Sequence, residues 1–325
     1  MRNFTFKGLF LAVVFIVLGS LSIQAADGLI TKQITIKLDE AGTLPNKIGS
    51  TKKFQITNLK IIGEINGRDL QMIREMAGKD VRGNDTDGML SVLDLSDAKI
   101  VEGGGYNING FYYPTSNDKI GDNAFCDCSG LTSLTLPSDV TEIGNAAFEG
   151  CSGLASLTLP SGVTKIGYSA FLRCSGLTSL TLPSGVTEIG NAAFEGCSGL
   201  TSLTLPSGVA KIGDYAFHGC SGLTSIYVYA EKLPNMGNDV FEGCDAKKCT
   251  VYVPKGTYDD YWLSEFGYFE NIVEFDPTGI NNVITSNDAK ELSRYSVNGQ
   301  RLSAPTKGLN IVKYSDGSVK KVAVQ

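Results

Sequence analysis

The chain has 325 residues, of which 42% are hydrophobic and 19% are charged, and its formal net charge is -6. This composition supplies enough apolar side chains for a buried core and excludes an intrinsically disordered chain. The acidic balance and the lack of a basic run argue against nucleic acid and anionic lipid as partners.

The first element along the chain is a predicted signal peptide. Arg2 and Lys7 precede an uncharged apolar run that ends near Leu21, and a small residue follows at Ala25. This order is typical of a secretory signal, which we expect to occupy residues 1–25. A membrane anchor is the alternative, but the run is shorter than the roughly 20 residues that span a bilayer. We therefore expect an exported protein, secreted or held at the outer-membrane surface, with no transmembrane segment after signal removal.

A 23-residue period fills the middle of the chain. It is carried by Ile120, Ile143, Ile166, Ile189 and Ile212, and by Phe125, Phe148, Phe171, Phe194 and Phe217. A fixed period of this length predicts a solenoid. Within one turn Leu157 and Leu159 alternate with Ser156 and Thr158, which indicates a strand with one buried face, and a Pro ends that strand. One turn cannot fold alone, so we expect stability to be cooperative along the stack and the ends to need caps.

The C-terminal part predicts a small all-β domain. A polar linker containing Pro and Gly suggests a boundary near Thr278. Beyond it, the sequence predicts three short strands with turns at Asn298-Gly299 and Asp316-Gly317. We assign residues 278–325 to this linker and β module.

The repeated residues resemble a known family. The pattern L-x-x-L-x-L-P-x-x-V-x-x-I-G-x-x-A-F-x-x-C, clear from Ile120 to Cys244, is similar to the BspA-like leucine-rich repeats of Bacteroidetes surface proteins. The resemblance implies a leucine-rich-repeat solenoid over residues 120–245, mostly β with short helical or 3-10 turns. It also implies a non-enzymatic surface or secreted protein that adheres to host extracellular-matrix proteins or to other cells.

The same resemblance extends to both flanks. Residues 26–119 look like the family's N-terminal region, with a strand, a helix near Asn66 to Ala77 and a degenerate first repeat. Residues 246–277 look like its terminal repeat and cap. The end of the chain is similar to a C-terminal β module that in some exported proteins of that phylum directs secretion and surface attachment. A sorting role and a plain β domain both remain open for it.

Six of the eight cysteines occupy one repeat position, namely Cys128, Cys151, Cys174, Cys197, Cys220 and Cys244. An even cysteine count in an exported protein first suggests disulfides. Equivalent positions on stacked turns, however, lie about 4.8 Å apart with parallel side chains, beyond the Cβ separation of about 3.5–4.5 Å that a disulfide allows. We therefore expect a column of buried thiols. Cys126 and Cys249 lie outside the column and are candidates for a reactive or bridging thiol.

No residue pattern predicts a catalytic, cofactor or metal site. The single histidine, His218, holds a position where other turns have Glu149, Leu172 and Glu195, which indicates a variable exposed residue. The acidic segment from Gly83 to Gly88 lacks the register of an EF-hand calcium loop. We expect no enzyme activity.

The sequence does predict a binding surface. Because strand side chains alternate, the turns present small hydroxyls on the outer face of a parallel sheet. The candidate ligand-binding residues on this face are Ser133, Thr135, Ser156, Thr158, Ser179, Thr181, Ser202, Thr204 and Tyr227. Such a face suits a broad contact with a protein, or with a glycan, better than a small-molecule pocket. The same hydroxyls also suit a purely solubilising role, which stays open.

Aromatic residues gather in two places outside the repeats. The loop that contains Tyr112 and Tyr113 is a second candidate contact site, because aromatic side chains anchor protein interfaces and stack on sugars. The other group, between Tyr258 and Phe269, is expected to close the end of the solenoid. The alternative function, a glycan-binding accessory of a polysaccharide-uptake system, requires exposed aromatic platforms, which the repeat face lacks.

Overall fold

The structure is a computed structural model that describes residues 28–276, 291–296, 301–305, 307–314 and 319–324. The predicted signal peptide, the linker after Thr278 up to residue 290, and both predicted turns of the tail lie outside the described residues.

A long parallel sheet forms one wall of the molecule. Among the described residues it has ten strands, which are, in spatial order, Ile34–Lys37, Asn58–Ile65, Val92–Ile100, Ser133–Thr135, Ser156–Thr158, Ser179–Thr181, Ser202–Leu205, Ser225–Val228, Thr250–Pro254 and Asn271–Phe275. Their spatial order is their chain order, so each turn of the chain adds one strand. The predicted leucine-rich-repeat solenoid is therefore confirmed.

A second parallel sheet forms the opposite wall. Its two-residue strands in the described chain are Lys119–Ile120, Glu142–Ile143, Lys165–Ile166, Glu188–Ile189, Lys211–Ile212 and Asn235–Met236. The isoleucines point into the core, and the charged residues form a ladder on the surface. Lys119 Nζ lies 2.7 Å from Glu142 Oε2, and Lys211 Nζ lies 2.9 Å from Glu188 Oε1. Exposed pairs of this kind each contribute at most about 1 kcal/mol.

Identical side chains stack in columns between the two walls. Neighbouring rings of Phe125, Phe148, Phe171, Phe194, Phe217 and Phe241 are stacked with centroids 5.1–5.8 Å apart. All eight cysteines are free thiols, and the six in the column are buried. Each column thiol after the first donates to a phenylalanine carbonyl of the preceding turn, as Cys174 Sγ does to Phe148 O at 3.0 Å. The thiols thus do more than fill space, because they hydrogen-bond successive turns to each other.

Two glycines of the repeat are not required by an unusual backbone conformation. Neither Gly144 nor Gly153 has a positive φ. Instead, a Cβ at Gly144 would lie 2.7 Å from Asp122 N, and one at Gly153 would lie 2.3 Å from Ser129 O. Both distances are far shorter than a normal contact. These glycines are needed because the backbones of adjacent turns approach closely.

Helices lie at the two ends of the solenoid. They are α1 (Leu44–Lys47), α2 (Gly67–Met76) and α3 (Tyr258–Trp262), with 3-10 turns at Lys52–Phe54 and Glu265–Tyr268. Helix α2 confirms the helix predicted near Asn66 to Ala77. Asn66 caps it by accepting from Arg68 N at 3.0 Å, while the Asp69 carboxylate accepts from Asn66 N at 2.9 Å. This reciprocal pair is a capping box, which fixes where the helix begins.

The N-terminal region caps the first turn of the solenoid. In the stack, a backbone N–H of one turn donates to a carbonyl of the next, as Phe148 N does to Ala170 O at 2.8 Å. The equivalent carbonyls of the first turn, at Asp122, Ala124 and Cys126, have no preceding turn. Tyr106 Oη donates to Asp122 O at 2.6 Å, and Arg74 Nη1 donates to Ala124 O at 3.3 Å and to Cys126 O at 3.1 Å. Two side chains therefore replace a missing turn.

Aromatic rings close the other end, as predicted for the second aromatic group, although its members Tyr258, Trp262 and Tyr268 are exposed. Tyr261, Phe266 and Phe269 are fully buried. Phe266 and Phe269 lie against Phe241, the last ring of the core column, with centroids 5.0 and 5.1 Å away. Tyr261 Oη also donates to Ala230 O at 2.7 Å. The final turn therefore ends against a hydrophobic lid.

Two antiparallel units accompany the solenoid. A hairpin pairs Gly105–Ile108 with Phe111–Pro114. In the C-terminal part, the described strands are Glu291–Ser296, Arg301–Leu302, Gly308–Tyr314 and Val319–Val324, paired as one sheet. The sequence predicted three strands there, and the additional one, Arg301–Leu302, is only two residues long. The domain boundary near Thr278 stays a prediction.

Candidate functional site

The structure brings the predicted Ser and Thr residues to one face of the long sheet. One row joins Ser133, Ser156, Ser179, Ser202 and Ser225, and a parallel row joins Thr135, Thr158, Thr181, Thr204 and Tyr227. The central leucine of each strand points to the buried side. The side chains of the first three turns are exposed, and those at residues 202, 204, 225 and 227 are half-buried. We call these two rows the hydroxyl face.

The hydroxyls of this face make fewer hydrogen bonds within the protein than the hydroxyls of other threonines in the repeats. Thr178 Oγ1, in the turn before a strand, donates to Ala155 O of the preceding turn at 3.2 Å, and Thr201 Oγ1 likewise donates to Thr178 O at 3.1 Å. On the hydroxyl face, Ser225 Oγ donates to Ser202 Oγ at 3.1 Å, and the Tyr227 hydroxyl hydrogen-bonds with that of Tyr252. The other serine and threonine hydroxyls of the two rows have no such bond among the described residues and are available to a partner.

The two ends of the same sheet face have different chemistry. At the N-terminal end, Lys60 Nζ lies 3.0 Å from Asp94 Oδ2 and 2.8 Å from Asp97 Oδ2. These hydrogen bonds to the two carboxylates, that to Asp97 first, raise the pKa of Lys60 and keep it charged. At the C-terminal end, Tyr227 stacks on Tyr252 with centroids 4.5 Å apart. The face thus runs from charged groups through hydroxyls to aromatic rings.

Sequence reasoning missed most of the aromatic end. Besides Tyr227, it contains Tyr252, Tyr229 and Phe275, and the Phe275 ring meets Tyr229 edge-on at 5.3 Å. The strand sequences "SIYVY" and "TVYVP" place a tyrosine at the same point of the alternation. That shared position was a usable signal, because it puts Tyr227 and Tyr252 on one face of adjacent strands.

The structure separates the other two candidate residues, Tyr112 and Tyr113. Both belong to the hairpin and not to the long sheet, and they point to opposite sides of it. Tyr113 is half-buried and stacks on Tyr106 with centroids 5.7 Å apart. Tyr112 is 60% exposed and covers Gly105, where a Cβ would lie 2.4 Å from the Tyr112 ring. They do not form a single contact site.

The histidine and the two cysteines outside the column have the following surroundings among the described residues. His218 was expected to be exposed, but it is half-buried. Its ring lies between Glu195 and Glu242, with a carboxylate oxygen of each 3.9 Å from a ring nitrogen. No Ser, Thr or Cys within the described residues hydrogen-bonds to its ring, as a nucleophile would. Burial raises the pKa of Cys126 and of Cys249 to about 12, so neither supplies a reactive thiolate.

Neither calcium ligation nor a membrane span is indicated in the described parts of the chain, and the apolar run for which a membrane anchor is the alternative lies outside them. In the acidic segment, Asp85 Oδ1 lies 2.8 Å from Lys79 Nζ, and Asn84 N donates to the Asp80 carboxylate at 2.8 Å. No cluster of three or more potential metal ligands occurs among the residues that are described. No helix in those ranges has the length and apolar character needed to cross a membrane.

Fold and surface together define a leucine-rich-repeat solenoid that presents an open sheet face. Six copies of the family described as "BspA type Leucine rich repeat region" match residues 118–248 and 193–282, which together cover about half of the chain. The chain belongs to the BspA-type leucine-rich-repeat family. Repeat proteins of this architecture offer extended surfaces for binding other molecules.

Several solved bacterial structures are similar to this chain. A leucine-rich-repeat protein of Treponema pallidum is 28% identical over 42% of this chain and 68% of its own length, with a TM-score of 0.34. A leucine-rich-repeat protein of Bacteroides ovatus is 20% identical over 78% of this chain and 74% of its own, with a TM-score of 0.36. A leucine-rich cell-surface protein of Faecalibacterium prausnitzii is 19% identical over 68% and 64%, with a TM-score of 0.32. With TM-scores below 0.5 these likenesses support no argument about function. No curated protein matches the chain.

Proposed function

We propose that this chain is a non-enzymatic binding protein, exported and either secreted or held at the cell surface, that adheres to host extracellular-matrix proteins or to other cells through the hydroxyl face. The observation that supports this proposal is the pair of aligned rows whose Ser and Thr hydroxyls, apart from the Ser202–Ser225 pair, have no partner within the described protein. In the flanking turns, comparable hydroxyls are used to join one turn to the next.

Affinity on such a face comes from many small contributions. The net contribution of one hydrogen bond to the binding free energy is about 0.5–1.5 kcal/mol. Several must therefore form together for stable binding. The rows are held by the strand register on both sides, so little conformational entropy is lost when a partner binds. The tyrosines at the C-terminal end supply the large, partly apolar contact that dominates most protein interfaces.

The geometry of the aromatic end favours a protein partner over a glycan on this face. Tyr227 and Tyr252 are nearly parallel, with an interplanar angle of 6°, so each ring covers one side of the other. The Phe275 ring lies edge-on to Tyr227, with centroids 6.4 Å apart. Stacking on a sugar requires an open ring face, whereas Tyr227 and Tyr252 cover each other and every ring of this cluster is half-buried.

The experiment is a binding assay of the chain from residue 26 onward against immobilised matrix proteins and polysaccharides. One variant replaces Thr135, Thr158, Thr181 and Thr204 with Lys. Another, Tyr227→Thr, gives that turn the residue that the preceding turn has at Thr204. The control variant adds four Lys residues outside the face. It replaces exposed serines of the loops that precede the strands, namely Ser152, Ser175, Ser198 and Ser221. Loss of saturable matrix-protein binding in the first variant but not in the control supports the proposal. Equal binding by all variants would refute the assignment to this face.

A further inference from the structure

A pocket lies where the hairpin meets the first turn of the solenoid. It has a volume of about 480 Å³, within the range of about 300–1,000 Å³ that is usual for small-ligand sites. Four separate segments supply its walls: Arg74 of helix α2, the loop at Arg82 and Gly83, the hairpin from Ile108 to Tyr113, and the first turn from Asn123 to Asp127. The long sheet contributes no residue to it, so this pocket is distinct from the hydroxyl face.

Four of the polar side chains that line this pocket have no hydrogen-bond partners among the described residues. They are the guanidinium of Arg82, the amides of Asn109 and Asn123, and the carboxylate of Asp127. Polar groups elsewhere in the same region are used within the protein: Asp80 closes its own loop, and the Asp122 carboxylate accepts from Asn145 N at 2.7 Å. Four planar polar groups without a protein partner thus border one concave site.

The hairpin adds aromatic surface to the same wall. In this two-stranded unit Tyr106, Ile108, Phe111 and Tyr113 share one face, because cross-strand partners project to the same side. Phe111 remains 68% exposed, although it lies beside a half-buried ring and a buried Ile. The structure of the hairpin does not require an exposed aromatic ring beside a polar pocket, so this ring indicates a contact with a ligand.

From this arrangement we propose that the pocket is a binding site for a short neutral saccharide. A pyranose ring has an apolar face of C–H groups, which packs on an aromatic ring, and a rim of hydroxyls that each donate and accept. Asn, Asp and Arg side chains carry paired donors or acceptors in one plane, which match two adjacent hydroxyls at once.

The charges of the pocket determine the class of saccharide. Arg82 and Asp127 balance each other, and the guanidinium of Arg74 is directed at the backbone carbonyls of Asn123, Ala124 and Cys126. An anionic ligand would have to sit beside the Asp127 carboxylate with one free cation to offset it. A neutral ligand uses both charged groups as hydrogen-bond partners.

The test is calorimetric titration of the chain from residue 26 onward with maltotriose, cellotriose and mannotriose, with a glucuronate-containing disaccharide and a short acidic peptide for comparison. Phe111→Ala removes the open ring, and Tyr112→Ala is its matched control, because that ring lies on the other side of the hairpin. Asp127→Gly removes the carboxylate at a left-handed position, φ 59°, where glycine is well tolerated. Its control is Arg173→Gly, at the same repeat position two turns away.

We expect saturable binding of at least one neutral trisaccharide. Phe111→Ala and Asp127→Gly should each weaken it by about tenfold, the effect of losing one central contact, while both controls stay within about twofold. Circular dichroism verifies that each variant is folded, and matrix-protein binding through the hydroxyl face should be unchanged in all four. Absence of binding to every neutral trisaccharide, equal binding by all variants, or preference for the acidic sugar or the peptide would each overturn the proposal.

Discussion

Replacing Arg74 with Met tests whether a side chain substitutes for a missing turn. Arg74 lies on α2, is 1% exposed, and its Nη1 donates to Asn123 O at 2.9 Å as well as to Ala124 O and Cys126 O. The substitution keeps a long unbranched side chain but removes every donor. The carbonyls of Ala124 and Cys126 then lose the bonds that later turns obtain from their neighbours.

The magnitude follows from the number of bonds that one nitrogen can make. Nη1 has two hydrogens, so we count two full hydrogen bonds from a charged donor, at about 1.5–3 kcal/mol each. Removal of a buried cation offsets part of that loss. We therefore expect Arg74→Met to reduce the free energy of unfolding by about 3 kcal/mol. Tyr106→Phe removes one neutral bond, to Asp122 O, and should cost about 1 kcal/mol.

Urea unfolding and hydrogen exchange measure the effect. Arg68→Met is the control, because Arg68 is exposed on the same helix. Exchange should accelerate first in residues 121–127, since the loss acts on the end of the stack and repeat proteins open from their ends. If Arg74→Met resembles Arg68→Met in stability, or if the faster exchange is spread evenly over the solenoid, the capping argument is wrong.

Three further predictions concern the stack itself. Gly167→Ala places a Cβ 2.7 Å from Asn145 N and should lower the midpoint of thermal unfolding strongly, whereas Gly185→Ala, with its nearest contact at 3.4 Å, should change it little. Arg173→Gly relieves a left-handed residue, φ 59°, and should stabilise the protein by about 1 kcal/mol in urea unfolding. Burial raises the pKa of the Cys128 thiol from its ordinary value of 9.0 to about 11. The stability that this thiol contributes is therefore complete below about pH 9 and is lost as the pH rises towards 11. Urea unfolding midpoints at pH 8 and pH 10.5 measure this loss. In Cys128→Ala the decrease in midpoint between the two pH values should be smaller.

The solenoid was predictable because its core is periodic. A 23-residue spacing of Ile, Phe and Cys fixes one buried column for each residue type, and the strand register follows from that spacing. The cap was not predictable in the same way. Arg74 bonds to backbone carbonyls about 50 residues further along the chain, as the separation of 49 from Asn123 shows. Backbone acceptors leave no mark in the side-chain sequence, so only the need for a cap could be stated.

The candidate site was predictable only where it follows the repeat. Strand alternation correctly placed Thr158 and its equivalents on one face. It could not show that their hydroxyls lack partners, because Thr178 has the same side chain and a different hydrogen bond. The separation of Tyr112 from Tyr113 was missed although Asn109-Gly110 is a strong hairpin signal. In a hairpin adjacent residues point to opposite sides, so two neighbouring tyrosines cannot share a contact.

The regularity of the hydroxyl face limits where specificity can lie. Its middle turns present the same two side chains, so a ligand displaced by one turn, about 4.8 Å, would meet an identical surface. Only the ends of the face, at Lys60 and at Tyr227, can fix the position of a partner. Deletion of residues 166–211 removes two whole turns, preserves the alternation of charges from Glu142 to Lys165, and brings the ends about 10 Å closer. A partner held at one end should bind the shortened protein with unchanged affinity, whereas one that spans both ends should lose binding. A matrix protein that binds the shortened and full-length chains equally, and also binds Tyr227→Thr and Lys60→Ser variants equally, would show that neither end positions it.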